Sequence, residues 1–190
     1  GSTTTVAPNN AYTTFSPNVV VNRIEIIRDS WVGNSDSFDN FTYTLNSTPT
    51  ITASGTTAFT EQTPVVITNA ITINDSDGDT DWNGGKLKVQ ITANNSASDS
   101  LTLPTANGGS IWLDTNGNKL MSNTTQIGTA DAASVSNGTA WTFTFNGSAT
   151  NALVQATGRA VQFTNSSDTP STTSRTITFT ATDKNTASAS

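Results

Sequence analysis

Strict alternation of apolar and polar residues limits the folds open to this chain more than any other feature. The segment Lys86–Ile91 alternates without interruption, with Leu87, Val89 and Ile91 as its apolar positions. The segment Trp141–Phe145 places three aromatic residues at alternate positions, with threonine between them. A repeat of two residues puts the apolar side chains on one face of a β-strand and leaves the other face to water.

Shorter runs of the same kind recur along the chain and are separated by turn residues. Short strands with frequent turns are typical of antiparallel sandwiches. We therefore predict an all-β fold, an antiparallel Greek-key sandwich of about seven strands. One helix is predicted at Ala149–Thr157, after Ser148 as its N-cap. The first predicted strand of the sandwich is Phe59–Ile67, which Pro64 interrupts and which Ala70–Ile73 continues. The later predicted strands are Lys86–Ile91, Leu101–Leu103, Ser110–Leu113, Lys119–Met121, Trp141–Phe145, Ala160–Thr164 and Arg175–Thr182.

Composition divides the 190 residues into three parts. Residues 46–57 are rich in Ser, Thr, Pro and Gly and are predicted to form a linker. Residues 1–45 are predicted to be an N-terminal β segment with strands at Val19–Arg28 and Phe41–Leu45. Two strands make too small a sheet to stand alone, so this segment either packs on the later strands of the chain or is the tail of a preceding domain. Residues 58–190 are predicted to form the sandwich.

The segment 74–85 is strongly acidic, with Asp75, Asp77, Asp79 and Asp81 at alternate positions. Carboxylates this close repel one another unless a cation holds them together or water screens their charge. Oxygen ligands with no Cys or His nearby suit a hard ion, and we predict Ca²⁺. The segment differs from an EF-hand loop, because its glycine falls too early and no acidic residue ends it. The alternative is a solvated acidic turn between two strands.

Strand direction adds Asp183 to the candidate ligands. The first and last strands of such a sandwich run parallel, so Asp75 and Asp183, which end them, are expected to share one pole. Side chains on alternate residues of an extended segment share one face, which favours Asp75 and Asp77 as partners. The predicted site has Asp75, Asp77 and Asp183 on one ion, with Asp79 or Asp81 completing that site or holding a second ion.

Glu61 is a further candidate ligand, at the other end of the sandwich. It precedes Asp75 by fourteen residues, enough extended chain to reach the opposite pole. The loop 165–170, which leads into the last strand, is expected at that pole too. Glu61 is either a metal ligand there or an exposed charge that protects an edge strand from aggregation.

The four tryptophans divide into two groups. Trp31 and Trp82 are in predicted loops and are candidates for contact with a carbohydrate ligand. Trp112 and Trp141 lie in alternating strands, which favours packing in the core.

Several classes of function are excluded by composition. The chain has no Cys and no His, so disulfides, imidazole metal sites and nucleophilic triads that need these residues are ruled out. A net charge of −6 opposes binding to nucleic acid. No apolar run approaches the roughly 20 residues of a membrane-spanning helix. We expect a monomer without enzyme activity, nucleic-acid partner or membrane insertion.

The order of several segments resembles bacterial cadherin-like repeats, which are stacked in tandem within large secreted or surface-anchored adhesins. The resemblance covers about residues 58–184. It implies an immunoglobulin-like Greek key, calcium near the domain junctions, an extracellular location and neighbouring repeats of the same chain as partners. The segments that carry it are Phe59–Ile67, Ile73–Asp77, Gly84–Val89, Val161–Pro170 and Arg175–Asp183.

We therefore expect a calcium-stabilised structural or adhesive repeat of a bacterial surface protein. The alternative is a calcium-dependent carbohydrate-binding module. The two hypotheses differ in whether an exposed tryptophan, Trp31 or Trp82, lies beside an incompletely coordinated calcium ion.

Overall fold

A computed structural model describes residues 46–108 and 110–190. The predictions for strands at Val19–Arg28 and Phe41–Leu45, and for Trp31, lie outside these residues. The described part contains thirteen strands, one α-helix and one 3₁₀ helix. The strands are β1 Thr50–Thr52, β2 Val65–Val66, β3 Thr72–Asn74, β4 Lys86–Ala93, β5 Asp99–Thr102, β6 Ile111–Asp114, β7 Lys119–Ser122, β8 Thr125–Ala130, β9 Val135–Ser136, β10 Trp141–Phe145, β11 Gln162–Asn165, β12 Thr176–Thr182 and β13 Ser188–Ala189.

The larger sheet has seven strands in the order β13-β12-β4-β10-β8-β7-β6. Its described pairings are antiparallel, and β4 lies between β12 and β10, with Val89 opposite both Phe179 and Trp141. The alternation of β4 is present in the structure, because Leu87, Val89 and Ile91 are buried, while Lys86 and Lys88 are exposed and Gln90 is half-buried.

A second sheet of four strands, β2-β11-β5-β9, and the β1-β3 pair complete the sandwich. Side chains from these elements and from the larger sheet enter a single hydrophobic core, for example Ile73, Leu101 and Phe163 with Leu87 and Phe143. The predicted all-β, antiparallel class is confirmed. The strand number exceeds the prediction because β8, β9 and β13 lie in segments without clear alternation, and because β1 lies inside the predicted linker.

The helix α1 spans Asn151–Ala160 and begins two residues later than predicted. Thr150, rather than Ser148, is the N-cap, and its side chain accepts a hydrogen bond from the Leu153 N–H. The helix packs closely on β3, because a Cβ atom at Gly158 would lie 3.2 Å from the Ile71 side chain. This contact places the C-terminal part of α1 against the start of β3.

Two strand predictions need correction. Phe59–Ile67, predicted as a strand that Pro64 interrupts and confines to an edge or a bulge, is shorter than predicted: only Val65–Val66, directly after the proline, forms a strand, and it pairs with β11 at the edge of the four-stranded sheet described above. Trp112 was expected in the core, but Ile111 and Leu113 take the buried face of β6 and Trp112 lies half-buried on the other. Its indole N–H donates to the Asn123 carbonyl. No helix in the described part of the chain is long and apolar enough to cross a membrane.

Candidate metal centre

Residues 75–81, which we call the acidic turn, follow directly after the end of β3. The Asp75 carboxylate accepts a hydrogen bond from the Asp77 N–H at 2.9 Å, and the Asp75 carbonyl accepts from the Gly78 N–H. Gly78 has φ 96° and ψ −177°, a conformation open essentially to glycine alone. The chain then enters the 3₁₀ helix at Asp79–Trp82, which returns Asp81 toward Asp75.

This turn brings Asp75, Asp77 and Asp81 together, and we call these three residues the acidic cluster. Each offers one carboxylate oxygen that lies within 4.8 Å of the other two. Asp75 is 1% exposed and Asp81 is 6% exposed, whereas Asp77 is half-buried. The acidic cluster could therefore hold a metal ion.

Asp75 is the least satisfied member of the acidic cluster. Its Oδ2 atom is buried and has no hydrogen-bond partner in the described part of the chain. Burial raises the pKa of this carboxyl, the Asp77 N–H lowers it, and the charges of Asp81, Asp77 and Asp183 raise it further, so the net shift is upward. A buried oxygen of this kind is costly unless a cation or donor contacts it.

Asp183 reaches the same pole, as predicted, but it lies outside the group of three. The Lys184 N–H donates to the Asp81 carbonyl at 2.8 Å, which fixes the end of β12 against the acidic turn. The Asp183 carboxylate accepts from the Asn46 amide at 2.8 Å and from the Ala187 N–H at 2.9 Å. Asp183 therefore contributes negative charge beside the acidic cluster.

The segment before β1 also contacts the site. The Ser47 N–H donates to Asp77 Oδ2 at 2.5 Å, and the Asn46 amide oxygen accepts from Asn185 at 2.5 Å. Asn185 also donates to Asp81 Oδ2 at 3.3 Å. Three segments distant in sequence thus meet at the acidic cluster. The sequence prediction placed residues 46–57 in a linker and assigned no contact to Asn46 or Ser47.

Asp79 has a different partner. Its carboxylate accepts from the Asn151 N–H at 2.7 Å, at the first turn of α1, where a negative charge is favourable. The Asn151 side chain then joins the helix to the turn, because its oxygen accepts from the Asp75 N–H at 2.6 Å and from the Trp82 indole at 2.8 Å. Its amide donates to the Asp75 carbonyl at 3.0 Å. Nothing in the local sequence marks Asn151 for this role.

Trp82 is not available for stacking on a sugar, which corrects the prediction for this residue. It is 0% exposed, and its ring lies edge-on to Phe145 with centroids 6.0 Å apart. Its position in an acidic, glycine-rich segment suggested exposure, but the 3₁₀ helix turns the indole into the core. Trp141 is fully buried, as predicted.

Glu61 lies at the pole opposite the acidic cluster. The neighbouring Gln62 N–H donates to the Asn165 carbonyl at 3.0 Å, and the Gln62 side chain donates to Asp168. This contact agrees with the predicted placement of Glu61 beside the loop 165–170. Glu61 is exposed and belongs to no group of three metal-ligand side chains in the described part of the chain.

Asp99, a buried carboxylate outside the acidic cluster, lies at the same pole as Glu61. Asp99 is 0% exposed and contacts Arg175 through Nε at 3.1 Å and Nη2 at 3.3 Å. It also accepts from the Asn165 amide at 2.6 Å and from the Ser96 N–H at 2.7 Å. Burial alone would raise the pKa of Asp99, but the hydrogen bonds from Arg175, Asn165 and Ser96 outweigh it and lower the pKa. Every oxygen here has a donor, so this group is structural.

Comparisons with protein-family models, curated proteins and solved structures found no match. The acidic cluster and the contacts around it are therefore the features that bear on function.

Proposed function

We propose that the sandwich is a calcium-stabilised structural module, and that the chain serves as a structural or adhesive repeat of a large extracellular bacterial protein. The observation that carries the proposal is Asp75 Oδ2, a buried carboxylate oxygen without a partner among the described residues, within a group of three carboxylates. A cation is the contact that satisfies this oxygen and also offsets the repulsion among Asp75, Asp77 and Asp81.

The donor set favours Ca²⁺ over other metals. Every side chain of the acidic cluster supplies oxygen, and the chain contains no Cys or His. Calcium accepts six to eight oxygens in irregular arrangements, whereas Mg²⁺ demands a near-ideal octahedron and keeps several waters. Asp75, Asp77 and Asp81 would hold the ion, and backbone carbonyls or water would supply the remaining ligands. Asp77 is half-buried, and water ligands would reach the ion from this side of the site.

A structural role follows from the segments that the ion would join. The acidic turn contacts Ser47 on one side and the Lys184–Asn185 segment on the other. These segments are distant in sequence, so an ion at this point crosslinks the fold. It binds only the folded chain, and it stabilises that state by RT ln(1 + [L]/Kd), about 2.7 kcal/mol at a hundredfold excess over Kd.

The extracellular location rests on the resemblance to cadherin-like repeats, which implies it. Calcium sites of extracellular modules work at about 10⁻⁴–10⁻³ M, and this range sets the affinity expected of the site. The carbohydrate-binding alternative is weakened, because one of its two candidate tryptophans, Trp82, is buried in the core.

Titration calorimetry on the full chain tests the proposal. We expect one Ca²⁺ to bind with a Kd below about 1 mM and Mg²⁺ to bind at least about tenfold more weakly. Asp77→Asn keeps the shape of the side chain but removes a charge, and it should weaken Ca²⁺ binding about tenfold, which corresponds to about 1.4 kcal/mol. Asp114→Asn, in the β6–β7 hairpin, is the matched control and should bind as the wild type does. Absence of Ca²⁺ binding at millimolar concentration would refute the proposal.

A further inference from the structure

Lys184 is the cationic side chain in contact with the acidic cluster among the described residues. Its Nζ atom lies 2.7 Å from Asp81 Oδ1 and 3.5 Å from the Thr80 carbonyl oxygen. Its backbone N–H donates to the Asp81 carbonyl at 2.8 Å, so the chain at Lys184 is fixed beside the 3₁₀ helix. The fixed backbone of Lys184 therefore keeps its ammonium group within reach of the acidic cluster.

The two partners of this ion pair differ in exposure. The Asp81 side chain is 8% exposed and the Lys184 side chain is 38% exposed. The lysine can leave for solvent by rotating its flexible stem, and it then regains full hydration. The aspartate stays in place, because the 3₁₀ helix and the Lys184 N–H hold its backbone.

We propose that Lys184 is a tethered counter-ion that competes with calcium for Asp81 and sets the calcium concentration at which the site fills. The inference rests on the proposed function. A metal ion held by Asp81 and an ammonium on the same carboxylate repel each other, so one displaces the other. The acidic cluster has three carboxylates, and Lys184 neutralises part of this charge before any metal arrives.

The same competition makes Lys184 a specificity residue. A monovalent cation brings the same single charge as the ammonium that it must displace, and Lys184 has the advantage of being attached. A divalent ion brings twice that charge and gains from the exchange. Lys184 therefore discriminates against Na⁺ and K⁺, which are more abundant than calcium in most surroundings.

Calcium titration of Lys184→Met, Lys184→Arg and Lys88→Met variants of the full chain tests the inference. Lys88 is exposed on the outer face of β4 and serves as the control for loss of one positive charge. We expect Lys184→Met to bind Ca²⁺ about tenfold more tightly than the wild type, which corresponds to about 1.4 kcal/mol. Lys184→Arg and Lys88→Met should stay within about threefold of the wild type.

Two further readouts separate competition from a merely structural role. In EGTA, Lys184→Met should melt below the wild type, since Asp81 loses its counter-ion, and saturating Ca²⁺ should remove this difference. Replacing tetramethylammonium chloride by NaCl at equal ionic strength should weaken Ca²⁺ binding more in Lys184→Met than in the wild type.

The outcomes distinguish the two proposals. If the wild type binds Ca²⁺ and Lys184→Met binds it equally or more weakly, Lys184 is not a competitor and the proposed function stands. If the wild type does not bind Ca²⁺, both proposals fall together.

Discussion

Replacing Arg175 by Met removes the only cation that contacts buried Asp99 among the described residues. Two guanidinium nitrogens contact the Asp99 carboxylate at 3.1 and 3.3 Å, and Nη1 donates to the Ser171 and Thr173 carbonyls at 2.5 and 2.7 Å. In Arg175→Met, Asp99 keeps the hydrogen bonds from Asn165 and Ser96 but has no opposite charge.

The expected cost follows from burial. The side chains of Asp99 and Arg175 are 0% and 10% exposed, and removing one partner of a buried pair costs about 3–5 kcal/mol because the other charge stays buried. The exposed pair Lys119–Asp114 gives the scale for comparison. Its side chains are 42% and 31% exposed and its atoms are 3.7 Å apart, so Lys119→Met should cost at most about 1 kcal/mol.

Urea unfolding of the wild type and both variants measures the difference. We expect the midpoint to fall strongly for Arg175→Met and little for Lys119→Met, with unchanged slopes. In the double variant Asp99→Asn/Arg175→Met both charges are absent. Part of the lost free energy of unfolding should be recovered, because no unpaired buried charge remains. Equal costs for Arg175→Met and Lys119→Met would show that the buried pair is no stronger than a surface contact.

Two further predictions concern the same fold. The lowered pKa of Asp99 means that its contribution to stability is fully present above the unfolded pKa of about 3.9, and is lost as the pH falls through the lower folded pKa. The free energy of unfolding should therefore decline below about pH 4, and less steeply in Arg175→Met; parallel curves would contradict the assignment. Gly128→Ala should cost about 3 kcal/mol or prevent folding, since its Cβ would lie 2.4 Å from the Thr144 carbonyl oxygen. Gly147→Ala, whose nearest neighbour atom is at 3.7 Å, should be close to neutral in thermal unfolding, and equal effects would refute the packing argument.

The strands with unbroken alternation could be predicted, because a two-residue period determines which face of a strand is buried and which is exposed. Lys86–Ile91 and Trp141–Phe145 became the centre of the larger sheet, with their apolar residues buried. Strand β8 could not be found this way. It carries Gly128, because the nearby Thr144 carbonyl leaves no room for a side chain. The alternation of buried and exposed residues along β8 also shifts by one position at Gly128. The reason for the glycine lies in a neighbour sixteen residues away.

The acidic cluster shows the same limit. Clustered aspartates and the shared pole with Asp183 could be predicted from spacing and strand direction. Which aspartates face one another could not be predicted, because Gly78 and the 3₁₀ helix redirect the chain. As a result, Asp81 joins Asp75 and Asp77, while Asp79 accepts a hydrogen bond from the N–H of Asn151, the first residue of α1. The contacts of Asn46 and Lys184 are also long-range in sequence and carry no local signal.

Thermal unfolding of wild type and Asp75→Asn, each in EGTA and in excess Ca²⁺, tests the calcium site most directly. Calcium at a hundredfold excess over Kd adds about 2.7 kcal/mol, which for a unit of this size raises Tm by about 5–11 °C. Asp75→Asn keeps the shape of the side chain but removes the negative charge of the carboxylate, whose Oδ2 atom lacks a partner among the described residues. In EGTA this variant should melt at or above the wild-type temperature, because repulsion from Asp77 and Asp81 is relieved, and it should lose most of the response to calcium. A wild-type Tm that calcium leaves unchanged, or an equal calcium shift in Asp75→Asn, would contradict the account.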